Sequence, residues 1–166
     1  MSVSLPSIYL TRADFGRLER LVTVDAAAGS AAARQLAAEL TRAVILQPEE
    51  IAPDVVTMNS AIRYALSPGG QMAERMLVFP EDYIPTGQYV SVMSPLGTAL
   101  LGLRAGACRP FQDLSGAPLS VIVAEVSFQP QRRRRDAAES ASILRFEKKP
   151  ARPSFDDDGP GPDNAA

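Results

Sequence analysis

The chain has no histidine, no tryptophan and a single cysteine, Cys108. Without histidine, a Ser-His or Cys-His nucleophile cannot be assembled. One cysteine allows no internal disulfide, and no Cys/His zinc site can be built. Cys108 itself reads as a small, half-buried apolar side chain. No Gly-Lys-Ser/Thr loop is there to cradle a phosphate. No window reaches ~18 continuous apolar residues, so no membrane span is expected. Residues 1–6 lack the charged start and apolar run of a signal peptide, and the expectation is a soluble, cytoplasmic protein with no membrane contact. Charge of one sign is also missing: Lys and Arg number 17 against 19 Asp and Glu, a net charge of −2. That removes any bulk electrostatic case for nucleic acid. The acids fall in scattered groups, Glu49 with Glu50, Glu81 with Asp82, and Asp156 to Asp158, none at metal-ligand spacing. No catalytic residue, cofactor or metal is assigned, and an enzyme is not expected.

What is present begins with apolar residues, 46% of the chain, enough for a core. The most ordered pattern lies at residues 88–106. Val90 and Val92 alternate with Tyr89, Ser91 and Met93, the period of a strand. Ser94-Pro95 then suits a helix start, Ser as cap and Pro as first residue. Leu96, Ala99, Leu100 and Leu103 follow at helical spacing, and Gly106 can close the helix. The stretch reads as strand, tight corner and short buried helix over 95–104, with Ser94, Pro95 and Leu96 left at the surface.

Ahead of it, Thr11 with Asp14 resembles a capping pair, and Phe15, Leu18, Leu21 and Val22 recur at helical spacing. A helix is predicted over 12–24 and a break over 25–30. A second helix follows, capped by Ser30, with the stripe Ala33, Leu36, Ala37, Leu40 and Val44 ending before Pro48. Two helices joined so closely run antiparallel, a hairpin about 20–25 Å long. It is either an ordinary packed pair or a projecting probe. Residues 47–54 read as a linker, so the first unit is 1–48.

Strands dominate 49–130: 55–59, 61–66, 71–79, 109–114 and 119–128, with Ser-Pro-Gly-Gly at 67–70 as a turn. On the last strand Ile122, Ala124, Val126 and Phe128 share one face. Short turns between most neighbours favour an α+β domain, a mostly antiparallel twisted sheet around one short helix. Residues 131–166 change character. Arg132, Arg133, Arg134 and Arg135 form a run, read either as a solvated edge or as a contact for phosphate or an acidic partner. Proline, glycine and the Asp156–158 triplet predict a disordered tail, with Ile143, Leu144, Phe146 and Phe155 as its apolar interruptions.

Two segments carry a resemblance. Pro-Asp-Val-Val-Thr-Met-Asn at 53–59 is followed by Ser-Val-Met-Ser-Pro-Leu-Gly-Thr-Ala-Leu-Leu-Gly-Leu-Arg-Ala-Gly. In order and spacing they resemble the Rnk (regulator of nucleoside diphosphate kinase) family, in the GreA/GreB superfamily of transcription factors, over roughly residues 6–130. The resemblance implies an N-terminal antiparallel coiled-coil hairpin and an FKBP-like second domain. It implies docking on RNA polymerase at the rim of its secondary channel through Ser94, Pro95 and Leu96, with the hairpin, Asp25 at its tip, directed into the channel. Gre cleavage factors hold Mg²⁺ on a tip Asp-x-x-Glu. Here Asp25 is the only tip acid and position 28 is Ala. One carboxylate is a poor Mg²⁺ clamp, so transcript cleavage is not expected. Where the family has Gly-Asp after the helix, Gly106 is followed by Ala107-Cys108.

The expected function is therefore a non-catalytic regulator that binds polymerase and competes with Gre-type factors, touching nucleic acid only within the transcription complex. Three alternatives stand beside it. One is an adaptor acting on nucleoside diphosphate kinase through protein contacts. Another is a prolyl isomerase, with Tyr64, Phe79, Tyr83, Tyr89, Phe111 and Phe128 as the available aromatics. The third is direct DNA binding through the arginine run.

Overall fold

Thr11 does two things in the computed structural model, which describes residues 7–147. It ends strand β1 (Ile8–Thr11), and its Oγ1 accepts the Asp14 amide at 3.1 Å, capping helix α1 (Arg12–Ala27). Ser30 caps α2 (Ala31–Leu40) in the same way, from the Ala33 amide at 3.2 Å. Gly29, at φ 85°, turns the chain between them. Leu18 and Val22 of α1 and Ala33, Leu36 and Leu40 of α2 are buried.

The second helix is shorter than its stripe suggests. It stops at Leu40, and Ala43–Leu46 form β2, paired in parallel with β1. Val44 sits four residues beyond Leu40 and so matches a helical pattern, yet it is half-exposed on a strand. Two β-branched neighbours, Val44 and Ile45, favour the extended form.

Five strands make the main sheet: β3 (Ala61–Ser67), β4 (Ala73–Val78), β5 (Tyr89–Ser91), β6 (Cys108–Gln112) and β7 (Pro118–Phe128). The order is β5-β4-β3-β7-β6, antiparallel throughout except for β4 and β5. This mixed α+β arrangement agrees with the sequence reading. Residues 55–59 are not a strand; only Val55 bridges, to Arg104. Their backbone is satisfied elsewhere, Val56 N–H by Leu103 O at 2.8 Å and Asn59 N–H by Leu77 O at 2.7 Å.

On β7 the buried residues are Val121, Val123 and Val126, while Ile122 is exposed. The expected face, Ile122 with Ala124, is the outer one. Arg63 pairs with Glu125 and Tyr64 with Val123, so Ala124 is an extra residue that switches the alternation. Period-two reasoning does not survive a bulge.

Helix α3 (Pro95–Leu100) buries Gly97, Thr98, Ala99 and Leu100. It ends earlier than expected, at Leu100, and Gly102 (φ 76°) rather than Gly106 turns the chain out of it. A Cβ on Gly102 would lie 2.2 Å from Ile8 Cγ2, so β1 packs directly on this backbone. One apolar cluster joins Ile8, Leu18 and Leu36 to Leu77, Leu100 and Val123. Each fully buried Leu or Ile contributes roughly 1.5–3 kcal/mol. The helix pair and the sheet therefore share a core.

The expected disordered tail begins instead with a helix, α4 (Pro130–Glu147). Its start is tied to the chain around residue 55. Gln129 Nε2 donates to Ala52 O at 2.9 Å and Val55 O at 2.8 Å, and Thr57 Oγ1 donates to Gln131 Oε1 at 2.8 Å. Arg135 donates to Glu49 O at 3.0 Å. Phe155 and the Asp156–158 triplet lie outside the described residues. No helix among the described residues is long and apolar enough to cross a membrane.

Candidate docking surface

Ser91 starts the corner that the sequence singles out. Its carbonyl accepts the Ser94 amide at 3.0 Å and the Ser94 hydroxyl at 2.7 Å. Ser94 Oγ in turn accepts the Gly97 amide at 3.0 Å, capping α3. Thr98 Oγ1, buried, donates to Val92 O at 2.8 Å. Gly97 lets the helix lie against the strand it came from; a Cβ there would be 1.9 Å from Ser91 O. The polar atoms of the corner are thus spent on one another. What faces outward is the half-buried surface of Pro95 and Leu96.

Pro95 and Leu96 form one wall of a cleft of about 720 Å³. Leu66, Tyr83, Tyr89, Phe111, Leu114 and Leu119 line the rest, with Arg75 and Asp113 among them. Leu96 and Phe111 also pack on the core. Leu114 stands 93% exposed beside it, on a turn held by Asp113, whose carboxylate accepts from Ser115 N, Ser115 Oγ and Ala117 N. The Ser115 bond, then that from the Ala117 amide, pulls the Asp113 carboxyl below its ordinary pKa. Ser94, Pro95 and Leu96, expected at the surface, are half-buried there, and the cleft around them is not visible in the sequence beyond the available signal of an exposed leucine inside a turn, Leu114.

Asp25 is not at the tip. Helix α1 continues to Ala27, and the turn is residues 28–30. Asp25 lies in the last helical turn, half-buried, on a second cleft. Arg17, Arg20, Leu21 and Val24 line it from α1, and Phe79, Pro80 and Glu81 from the sheet domain. Arg17 closes one end: it pairs with Glu81, and its guanidinium lies 3.7 Å from the Phe79 ring centroid. The pair is thus braced along the 80–82 turn. Among the described residues no three of His, Cys, Asp and Glu lie close enough to hold a metal. Cys108, expected to be half-buried, is exposed.

One buried charge also joins the helix pair to the sheet domain. Arg109 on β6, 3% exposed, reaches Glu39 of α2 at 3.4 Å, and Glu39 also pairs with Arg42. Burial lowers the Arg109 pKa, and Glu39 opposes the shift. Asp14, in the first turn of α1, is raised above its ordinary pKa by burial; Thr11, Arg17 and Arg134 pull the other way. Its Oδ2 has no hydrogen-bond partner among the described residues.

Comparison with known proteins places this geometry. The model for the Rnk N-terminus matches residues 6–46, and that for the transcription elongation factor GreA/GreB C-terminus matches residues 50–128. The regulator of nucleoside diphosphate kinase of Escherichia coli K12 is 37% identical over 129 residues, 78% of this chain and 95% of that protein. Its Shigella flexneri counterpart matches to the same extent, 37% over 129 residues. Among solved structures, a GreA/GreB prokaryotic transcription elongation factor from Nitrosomonas europaea superposes with a TM-score of 0.62 at 35% identity, covering 74% of this chain and 100% of that one.

Proposed function

The chain belongs to the Rnk family of the GreA/GreB transcription factors, and we propose that it acts by docking on RNA polymerase at the rim of the secondary channel. The observation that carries this reading is the corner at Ser94, Pro95 and Leu96. Its hydrogen bonds are internally satisfied, and its apolar surface opens onto an aromatic-lined cleft. Such a surface loses little entropy on binding because it is already ordered. In this reading the sheet domain is FKBP-like and the α1/α2 pair is a short antiparallel coiled coil laid at the channel mouth. It obstructs full-length Gre-type factors and cleaves no transcript, since Asp25 stands without a second acid three residues on.

The test is binding to purified core polymerase, alone and against a cleavage factor as competitor. Wild type binds and is displaced by the competitor. Leu96→Asp puts a charge into the cleft wall and weakens binding by about tenfold or more. Equal binding by Leu96→Asp overturns the docking assignment.

The relatives' name supports a second reading, protein contacts with nucleoside diphosphate kinase. Co-purification with the kinase and not with polymerase would favour it.

A further inference from the structure

The arginine run is a sequence feature that the docking surface does not use. It occupies the first turns of α4, where the helix dipole disfavours cations. Its members differ in what they touch. Arg135 is half-buried and bonded to Glu49 O, and Arg134 faces Asp14. Arg132 is 57% exposed and reaches only Asp136, at 4.0 Å. Arg133 is exposed and makes no side-chain hydrogen bond or ion pair among the described residues. Two guanidinium groups are therefore available to an external anion.

They are not isolated on the surface. Arg132 and Arg133 line a cleft of about 420 Å³ whose other walls are Ser127, Phe128, Gln129 and Asp136. Phe128 is the last residue of β7 and is only half-buried. Two exposed guanidinium groups beside an aromatic ring are the elements that hold a nucleic acid strand: the cations take phosphates and the ring takes a base face. A paired duplex hides its base faces, so the ring selects for an unpaired strand. The Asp136 carboxylate is the one opposing charge in the cleft. Its exposed, long contact with Arg132 gives phosphates little to displace.

We propose that this cleft binds a single-stranded stretch of nucleic acid, with Arg132 and Arg133 on its backbone and Phe128 stacked on a base. The site is remote in sequence from Ser94, Pro95 and Leu96 and does not depend on the polymerase reading. The chain's net charge of −2 makes the contact local and short.

The full-length protein is titrated against a labelled single strand of mixed sequence and against the same sequence as a duplex, by fluorescence anisotropy. The single strand binds more tightly than the duplex. With two phosphates neutralised, affinity falls about sevenfold between about 50 and 200 mM salt. The Arg132→Ala/Arg133→Ala variant, altered only at exposed positions, keeps its melting temperature and loses that salt dependence. Phe128→Leu keeps apolar bulk but removes the stack, and weakens single-strand binding about fivefold or more. Several results overturn the proposal: no binding at low salt, duplex bound as tightly as single strand, or affinity indifferent to the paired arginine substitution. So does equal binding of poly-glutamate with Phe128→Leu silent, which would assign the arginines to an acidic protein partner instead.

Discussion

Residues 91–98 and the α1/α2 pair are held in place by different means. The corner is fixed by backbone: a carbonyl that takes two donors, two hydroxyls turned inward, and a glycine that nothing larger can replace. The helix pair shares an apolar core with the sheet through Leu18, Val22, Leu36 and Leu40, and polar side chains brace its edges, Arg17 on Phe79 and Glu81 of the 79–82 turn and Arg109 on Glu39. Backbone fixing gives a surface that is the same before and after binding. Side-chain fixing gives an element whose angle can be adjusted at small cost.

The sharpest way to break this contrast is Gly97→Ala. Its Cβ would fall 1.9 Å from Ser91 O, so strand and helix must part. The expected loss is about 3 kcal/mol, read from urea unfolding. A loss well under that would mean the corner is as adjustable as the helix pair. Arg109→Met comes next. It leaves Glu39 with Arg42 alone, and about 2 kcal/mol is expected, less than for a fully buried pair because Glu39 is partly exposed. The same experiment by hydrogen exchange should show α2 loosening while residues 91–98 stay protected. Arg17→Ala removes an exposed ion pair and a cation–π contact, together about 1 kcal/mol or less. Its readout is faster exchange along α1, with little change in global stability.

The smallest effect concerns pH. Burial raises the Asp14 carboxyl above its ordinary pKa, so the folded chain holds this proton more tightly than the unfolded one. Stability from this group is present at low pH and falls as pH rises through the raised pKa. Asp14→Asn removes that slope. Plotted as wild type minus variant, unfolding free energy should decline from about pH 4 upward and then level off. A flat difference would mean that Asp14 is solvated as freely as an acid at the exposed end of the pair.

Much of this was legible in the sequence, and the failures have physical causes. Thr11, Ser30 and Ser94 were read as caps, and each accepts the amide three residues on. A cap is a local device, and local devices show in sequence. The lengths of the helices were not so local. Val44 fits a helical stripe and pairs in a strand because β1 is there to receive it. Gly102, not Gly106, closes α3 because Ile8 has to pass at that point. The face of β7 inverted at Ala124 through a bulge set by the partner strand. The cleft around Leu96 brings together Leu66, Tyr89 and Phe111 from separate strands, and no spacing within one segment could reveal it. Three alanines and a glycine after Asp25 look like a loop, but alanine is the best helix former, and α1 runs on to Ala27.

The fit of Ile8 against Gly102 also governs the order of events at the ribosome. The segment made first cannot be finished first. While residues 1–47 are emerging, Leu18, Leu36 and Leu40 can cover one another, but Ile8 has nothing to lie on until a glycine more than ninety positions later has been added. Vectorial synthesis therefore holds the N-terminal strand in waiting, and the helix pair is seated on the rest of the molecule only after the segment that carries this glycine has been made. A nascent chain stalled before that glycine should remain open to protease at β1 and become resistant once synthesis passes it.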